Sequence, residues 1–267
     1  MMIRSAIFFL VLVMVPSGSA GAALFDHSRW DELLVAHVVV LDEGRVTKVD
    51  YQGMADQRSV LTAYLNELAE VPQSRFDSWG REDQLAFLIN AYNAWTVELI
   101  LTGSPGLQSI KELGSLFRSP WKKQFIPLFG ETLSLDEIEH GLIRGSGRYA
   151  EPRIHFAVNC ASIGCPALSN RAYRGDILEE QLHQATVLFL SDSQRNSYRD
   201  GKLQISSIFK WYREDFEQGW RGAENLRQFL ALYVESLGVA KGEIDQLVQG
   251  TVSIEFLDYD WKLNGVK

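Results

Sequence analysis

The stretch EDQLAFLINAYNAWTVELIL, residues 82–101, decides the fold of this chain. On a helix its apolar residues lie nearly all the way round, which predicts a central, buried helix and not a surface one. Gly103 and Pro105 follow closely and are expected to end it. Asn90 and Asn93 are three residues apart, so their side chains share one face of this helix.

The two asparagines of this helix are candidate site residues. A buried amide costs about 1–3 kcal/mol unless it is hydrogen-bonded. Asn90 and Asn93 therefore either tie down the backbone of a neighbouring loop, or one of them orients a catalytic histidine or supplies a donor to an oxyanion. The sequence leaves both interpretations open.

The only two cysteines, Cys160 and Cys165, lie with His155 in the stretch RIHFAVNCASIGCPAL, residues 153–168. The apolar run 154–158 predicts a short strand. The small residues that follow, with a glycine and a proline, predict a tight loop. Functional side chains are common on such loops, so this stretch is the best candidate for a site.

The first interpretation of the cysteine pair is a structural disulfide. An exported protein meets an oxidising compartment, where paired cysteines form bridges. A loop that contains glycine and proline can bring the two Cα atoms within the roughly 4.4–6.8 Å that the bond needs. Such a bridge would stabilise mainly the turn, because the closed loop is short.

The second interpretation is nucleophilic catalysis by Cys160 or Cys165 with a histidine base. On a regular strand His155 and Cys160 would be about 16 Å apart and on opposite faces. His140, or His155 with Cys165 after the loop turns back, is the better base. Glu139 or an asparagine would then orient the imidazole, and the reaction would be hydrolysis or transfer of an amide.

A zinc site and redox chemistry by the cysteine pair itself are the two remaining interpretations. His140, His155 and the two cysteines are zinc-ligand types, but no H-E-x-x-H or C-x-x-C spacing occurs. The absence of C-x-x-C spacing also disfavours a redox pair. We therefore predict neither a metal nor a cofactor.

An acidic helix precedes the cysteine stretch. Residues 134–137, Ser-Leu-Asp-Glu, form a capping box, so a helix is expected from there to about Arg144. Glu139 falls inside its apolar face, and His140 lies toward one edge. A buried carboxylate needs a positive partner. Either Glu139 pairs with Arg144 or Arg153, or it belongs to the site.

The N-terminal residues have the pattern of a secretory signal peptide. Arg4 supplies the positive charge, residues 6–15 the apolar run, and residues 20–22 a small-residue cleavage site. An apolar run of about 10 residues is too short to cross a bilayer, so no membrane span is expected after cleavage at residue 22. These features predict a periplasmic or secreted protein.

The charge balance excludes one class of partner. Removing residues 1–22 leaves 25 basic and 34 acidic residues, a net charge of −9. No basic patch with interleaved aromatic residues occurs, so we expect no nucleic-acid binding. A peptide, a cell-envelope component or a small molecule is the expected partner.

The length and composition favour a single α+β domain over residues 23–267. The 267 residues are 46% hydrophobic, enough for one sizeable core, and no linker or internal repeat divides them. Several amphipathic helices and a few short alternating strands predict a small, mostly antiparallel sheet wrapped by helices. The buried helix 82–101 is expected at the centre.

Five separated blocks resemble the domain-of-unknown-function 547 family. They are FLINAYNA (87–94), LSLDEIEH (133–140), HFAVNCASIGCP (155–166), FKWYREDF (209–216) and YDWKLN (259–264). The blocks span about residues 85–264, and the family's activity is unassigned, so the resemblance implies a pattern of residues and no chemistry. Two functions stay open: cysteine-dependent amide hydrolysis or transfer, and a non-catalytic, disulfide-stabilised binding or interaction module.

Overall fold

The computed structural model describes residues 23–103, 106–115 and 118–266, so the predicted signal peptide, residues 1–22, lies outside the described residues. Helices predominate, and the strands form small sheets, which confirms the α+β class. The α-helices are α1 (Ser28–His37), α2 (Tyr51–Asp56), α3 (Arg58–Ala69), α4 (Gln73–Asp77), α5 (Arg81–Leu101), α6 (Leu178–Leu190), α7 (Ile208–Trp211), α8 (Arg213–Phe216), α9 (Leu226–Ala231) and α10 (Ile244–Gln249). Short 3-10 helices cover Asp42–Gly44, Ile110–Leu113, Pro120–Lys122, Pro152–Phe156, Gly175–Ile177 and Lys241–Glu243, and a π-helix covers Glu137–Arg144.

Helix α5 is the central element that the apolar pattern predicts. Its residues are buried on every side from Gln84 to Val97, so the helix has no solvent face over that length. Glu82 and Asp83 lie in its first turn, where negative charge is favourable. The hydroxyl of Thr102 donates to the Leu99 carbonyl and helps to end the helix.

The predicted small, mostly antiparallel sheet is present as three separate sheets. The strands are β1 (Val38–Leu41), β2 (Val46–Val49), β3 (Ile126–Leu128), β4 (Glu131–Leu133), β5 (Ser197–Arg199), β6 (Lys202–Ser206) and β7 (Ser253–Leu257). β1–β2 and β3–β4 are antiparallel hairpins. In the third sheet β6 pairs antiparallel with β5 and parallel with β7. None of the three sheets spans the molecule, so the helices form most of the core.

The buried apolar residues form two clusters. The larger cluster surrounds α5, and the smaller one gathers the aromatic residues of the C-terminal third around Phe209 and Phe229. The C-terminal segment then returns to the larger cluster: the amide of Ile163 donates to the Lys262 carbonyl, and the amide of Asn264 donates to the Ala161 carbonyl. The tail thus lies along the cysteine loop.

The strand expected over residues 154–158 is wrong, because this stretch begins as the 3-10 helix Pro152–Phe156. Pro152 lies in its first turn, and the Glu151 carboxylate accepts a hydrogen bond from the Arg153 amide. Local side-chain bonds thus satisfy the backbone without a partner strand. The 16 Å separation inferred for His155 and Cys160 on a strand therefore does not apply.

Candidate functional site

A pocket of about 210 Å³ lies where the two apolar clusters meet, and five of the predicted site residues line it. These are Glu139, His140, His155, Cys160 and Cys165. Tyr92 of α5 lines the same cavity, so the buried helix, the acidic helix and the cysteine loop converge on one place. We call this cavity the disulfide pocket.

Cys160 and Cys165 are joined in a disulfide, and their Cα atoms are 6.1 Å apart. Cys165 is buried, whereas Cys160 is partly exposed at the pocket wall. The sulfur of Cys165 accepts hydrogen bonds from the Cys160 amide (2.9 Å) and the Tyr259 hydroxyl (3.1 Å), and the Ser162 hydroxyl lies 3.4 Å from it. The disulfide thus lines the pocket and also closes the loop between the two cysteines.

Asn93 and Asn159 hold the cysteine loop, and we call this pair the amide clamp. The Asn93 side chain donates to the Ala157 carbonyl (3.0 Å) and accepts from the Asn159 amide (2.8 Å). Asn159 in turn donates to the Pro166 carbonyl (2.7 Å) and accepts from the Ala161 amide (2.8 Å). The Asn159 side chain therefore joins the two ends of the disulfide loop, and the Asn93 side chain ties that loop to the buried helix.

Asn90 makes the same kind of contact at a second place. Its side chain donates to the Tyr173 carbonyl (2.8 Å) and accepts from the Tyr173 amide (2.9 Å). Neither Asn90 nor Asn93 lines the disulfide pocket. Both asparagines bind the backbone of a neighbouring loop, as the structural interpretation of these residues expects.

His155 is buried and held by an acidic partner that the sequence analysis missed. Its Nε2–H donates to Asp215 Oδ2 (2.6 Å), and Arg144 donates to both oxygens of the same carboxylate. Burial lowers the pKa of His155 below its ordinary value and outweighs the opposing hydrogen bond to Asp215. His155 is therefore neutral near pH 7, with its lone pair on Nδ1.

Asp215 is ionised for a complementary reason. Burial would raise the pKa of Asp215, but the hydrogen bonds from His155 and Arg144 outweigh burial and hold that pKa well below its ordinary range. The ring of Tyr212 stacks on the His155 imidazole at 3.9 Å between centroids. Together Asp215 and Tyr212 fix the orientation of the imidazole.

The salt bridge expected between Glu139 and Arg144 or Arg153 is wrong. Arg144 pairs with Asp215, and Arg153 pairs with the carboxylates of Glu151 and Glu179. Asp215 and Glu179 are distant in sequence from the arginines that bind them, so the sequence pattern does not reveal these two contacts. Glu139 is therefore buried without an arginine partner.

Glu139 instead lies opposite His155. Glu139 is 4% exposed, and its Oε1 lies 4.0 Å from Nδ1 of His155, too far for a hydrogen bond between them. Neither atom receives a hydrogen bond from any group in the described part of the chain. We call Glu139 Oε1 and His155 Nδ1 the acceptor pair. Buried acceptors without donors are rare, so this pair is a candidate to accept a ligand's hydrogen-bond donor.

The π-helix positions the acidic side of the pocket. The predicted capping box is present, since Glu137 accepts from the Ser134 amide (2.7 Å) and Ser134 Oγ accepts from the Glu137 amide (3.2 Å). The wide turn places Glu139 inward and leaves His140 exposed. Nδ1 of His140 accepts a hydrogen bond from Arg144 (2.7 Å), so His140 lies at the pocket rim. π-Helical turns are often found at functional sites.

Aromatic residues form the rest of the pocket wall, and the sequence analysis did not assign them to the site. They are Tyr92, Trp121, Trp211, Tyr212, Tyr259 and Trp261. Four of them, like Asp215, fall in the two C-terminal blocks of the resemblance, which was the one signal that could have found them.

Two negative findings apply to the described residues 23–103, 106–115 and 118–266. They contain no group of three or more histidine, cysteine or acidic residues placed to hold a metal ion. Among their helices, none combines the length and the apolar character needed to cross a membrane.

Comparison with known proteins gives one match. The family model described as "Protein of unknown function, DUF547" matches residues 76–190. The chain carries a DUF547 domain. The matched segment contains α5, the π-helix and the cysteine loop, and it ends before the blocks that supply Asp215 and Tyr259 to the pocket. Searches of curated proteins and of solved structures returned no significant match.

Proposed function

We propose that this DUF547 protein binds, in the disulfide pocket, the protonated amino group of a peptide or of a small cell-envelope molecule. The acceptor pair carries this proposal, because Glu139 Oε1 and His155 Nδ1 face each other at 4.0 Å without a donor of their own. A group that satisfies both atoms must offer at least two hydrogens. An ammonium group offers three together with the positive charge that a carboxylate favours.

The surroundings of the acceptor pair suit the same ligand. Aromatic rings line the pocket, and a cation is attracted to the face of such a ring. Asp136 adds a second carboxylate at the wall. A cavity of about 210 Å³ holds a compact group such as a lysine side chain or an amino terminus, so a peptide would insert one end only.

The test uses two probes of matched shape, n-butylamine and N-butylacetamide. The first is an ammonium ion at neutral pH, and the second carries no charge and a single N–H. Titration followed by protein NMR is expected to give a Kd at least tenfold lower for the amine. Equal affinities for the two probes would contradict the proposal.

Matched substitutions assign the binding to the pocket. Glu139→Gln keeps the shape of the side chain and removes its charge, so amine affinity is expected to fall at least tenfold. Glu131→Gln makes the same change at an exposed position of β4 and is expected to leave affinity unchanged. Amine binding that survives Glu139→Gln would remove the acceptor pair from the site.

Export is part of the proposal. The signal-like pattern of residues 1–22 and the disulfide favour an oxidising compartment. Expression of the full chain is expected to give a periplasmic or secreted protein whose first residue is Ala23. A chain retained in the cytoplasm with residues 1–22 intact would contradict this part.

A second candidate, cysteine-dependent amide hydrolysis or transfer, is supported by one specific observation. Asp215 holds His155 with Nδ1 unprotonated, and Cys160 lines the same pocket, so a candidate base and a candidate nucleophile share one cavity. Cys160 can act as a nucleophile only after the bridge is reduced. Reduced protein would then release p-nitroaniline from aminoacyl-p-nitroanilides, and Cys160→Ser would not. No release by the reduced protein would leave the binding function alone.

A further inference from the structure

We infer that the Cys160–Cys165 bridge is an exchangeable disulfide that oxidises a dithiol-bearing peptide, with Cys160 as the attacked sulfur and Cys165 as the leaving thiolate. This activity goes beyond amine binding and does not depend on it. The two cysteines differ in exposure, and hydrogen-bond donors surround the sulfur of Cys165.

The two cysteines differ in access. Cys160 is partly exposed at the pocket wall, and Cys165 is 4% exposed. A thiolate entering the pocket therefore reaches Cys160 first. Attack on one sulfur of a disulfide expels the other, so the leaving group is Cys165.

The donors around Cys165 favour its departure. Its sulfur lies within hydrogen-bond distance of two donors, the Cys160 amide (2.9 Å) and the Tyr259 hydroxyl (3.1 Å). A disulfide sulfur is a weak acceptor and a thiolate a strong one, so fixed donors stabilise the reduced form more than the oxidised form. A better-stabilised thiolate makes the bridge more oxidising.

The Ser162 and Tyr259 hydroxyls are linked to each other. Ser162 Oγ donates to the Tyr259 oxygen (3.1 Å), which leaves the single Tyr259 proton for a sulfur. Burial raises the pKa of Tyr259, so its phenol keeps that proton at neutral pH. Cys160 Sγ, 3.1 Å from the same oxygen, competes for the proton until the bridge opens.

Arg195 and Glu139 have opposite electrostatic effects on the pKa of the Tyr259 hydroxyl. Arg195 donates to the Cys165 carbonyl, and its positive charge lowers the pKa of Tyr259. Glu139 acts in the opposite sense on the same hydroxyl. Arg195 therefore favours the thiolate, and Glu139 disfavours it.

The exchange is balanced in two steps. A substrate thiolate attacks Cys160 Sγ, a sulfur–sulfur bond forms between them, and the Cys160–Cys165 bond breaks with its electron pair left on Cys165. The second substrate thiolate then attacks its partner sulfur and releases Cys160 as a thiolate. The substrate dithiol loses two electrons and two protons, and the protein disulfide gains two electrons. The protons pass to the solvent or to the two cysteines.

The first experiment equilibrates the purified protein with glutathione buffers of fixed ratio and counts free thiols after alkylation. Tyr259→Phe removes one donor and keeps the ring, so its equilibrium is expected to move about tenfold toward the disulfide, which is about 30 mV for a two-electron couple. Tyr149→Phe, which removes a hydroxyl bonded to Gln84 away from the sulfurs, is the matched control. Equal equilibria for the wild type and Tyr259→Phe would overturn the inference.

A second experiment tests which sulfur is attacked. Glutathione disulfide is expected to modify the single thiol of Cys165→Ala at least tenfold faster than that of Cys160→Ala. Equal rates, or a native bridge that a small dithiol such as dithiothreitol does not reduce, would also overturn it. Glu139→Gln separates this activity from amine binding, because it is expected to lower amine affinity at least tenfold while shifting the glutathione equilibrium toward the thiols.

Discussion

The amide clamp and the acceptor pair are two buried polar regions that touch the same loop and differ in hydrogen bonding. In the amide clamp the Asn93 and Asn159 side chains each donate and accept a bond to the backbone. In the acceptor pair, Glu139 Oε1 and His155 Nδ1 have no protein donor. A buried polar group that is hydrogen-bonded stabilises the fold. A buried polar group without a partner lowers stability and leaves an acceptor free for a ligand. This difference separates the residues that hold the loop from those to which we assign ligand binding.

Asn93→Ala is expected to produce the largest loss of stability. It leaves the Ala157 carbonyl and the Asn159 amide without partners inside the protein. Each unsatisfied group costs about 1–3 kcal/mol, so the free energy of unfolding is expected to fall by about 3 kcal/mol. Urea denaturation measures the change. Asn66→Ala on the exposed face of α3 is the control, and an equal change in both variants would show that the clamp contributes nothing.

Gly164→Ala is expected to have the next largest effect. An added Cβ would lie 2.9 Å from atoms of the Tyr259 ring, so the ring must move away from the sulfurs. The free energy of unfolding is expected to fall by about 1–3 kcal/mol, as it does for other overpacked sites. Gly242→Ala, where nothing lies within 4 Å, is the control for thermal denaturation. A variant as stable as this control would contradict the close packing of Tyr259.

Below pH 6.5, His155 is expected to make stability depend on pH. Its folded-state pKa is lowered by burial, so the unfolded chain binds a proton that the folded chain does not, and stability falls as pH falls through 6.5. His155→Gln does not titrate, so its slope is expected to be shallower by up to about 1.4 kcal/mol per pH unit. His27, whose pKa burial lowers to about 4, contributes equally to both proteins. Parallel curves from pH 7.5 to 5 would contradict the buried, neutral His155.

Features set by neighbouring residues were predictable from the sequence, whereas contacts between residues far apart in the sequence were not. The unbroken apolar pattern of residues 82–101 predicted α5, and the spacing of Ser134 and Glu137 predicted the capping box. Asp215 lies 60 residues after His155, and no local pattern connects them.

Two predictions were wrong: the strand over residues 154–158 and the salt bridge of Glu139 with an arginine. The apolar run 154–158 predicted a strand, yet Pro152 and the Glu151 side chain stabilise a 3-10 turn there. A buried Glu139 suggested an arginine, and the arginines nearest in sequence were already bound by other carboxylates. Bonds to neighbouring residues decided the first outcome, and carboxylates from distant parts of the chain decided the second.

Glu139→Gln is expected to have the smallest effect on stability, and it tests the comparison most directly. The amide of Gln keeps the size and the polarity of the side chain, and the loss of a buried charge relieves its desolvation. The free energy of unfolding is therefore expected to stay within about 0.5 kcal/mol of the wild type or to rise. Urea denaturation beside Asn93→Ala provides the contrast, since both changes are made at a side chain that is almost fully buried. A loss comparable to that of Asn93→Ala would mean that Glu139 is held by the protein as firmly as the clamp. The acceptor pair would then be a structural contact, and the pocket would need another group to recognise an amine.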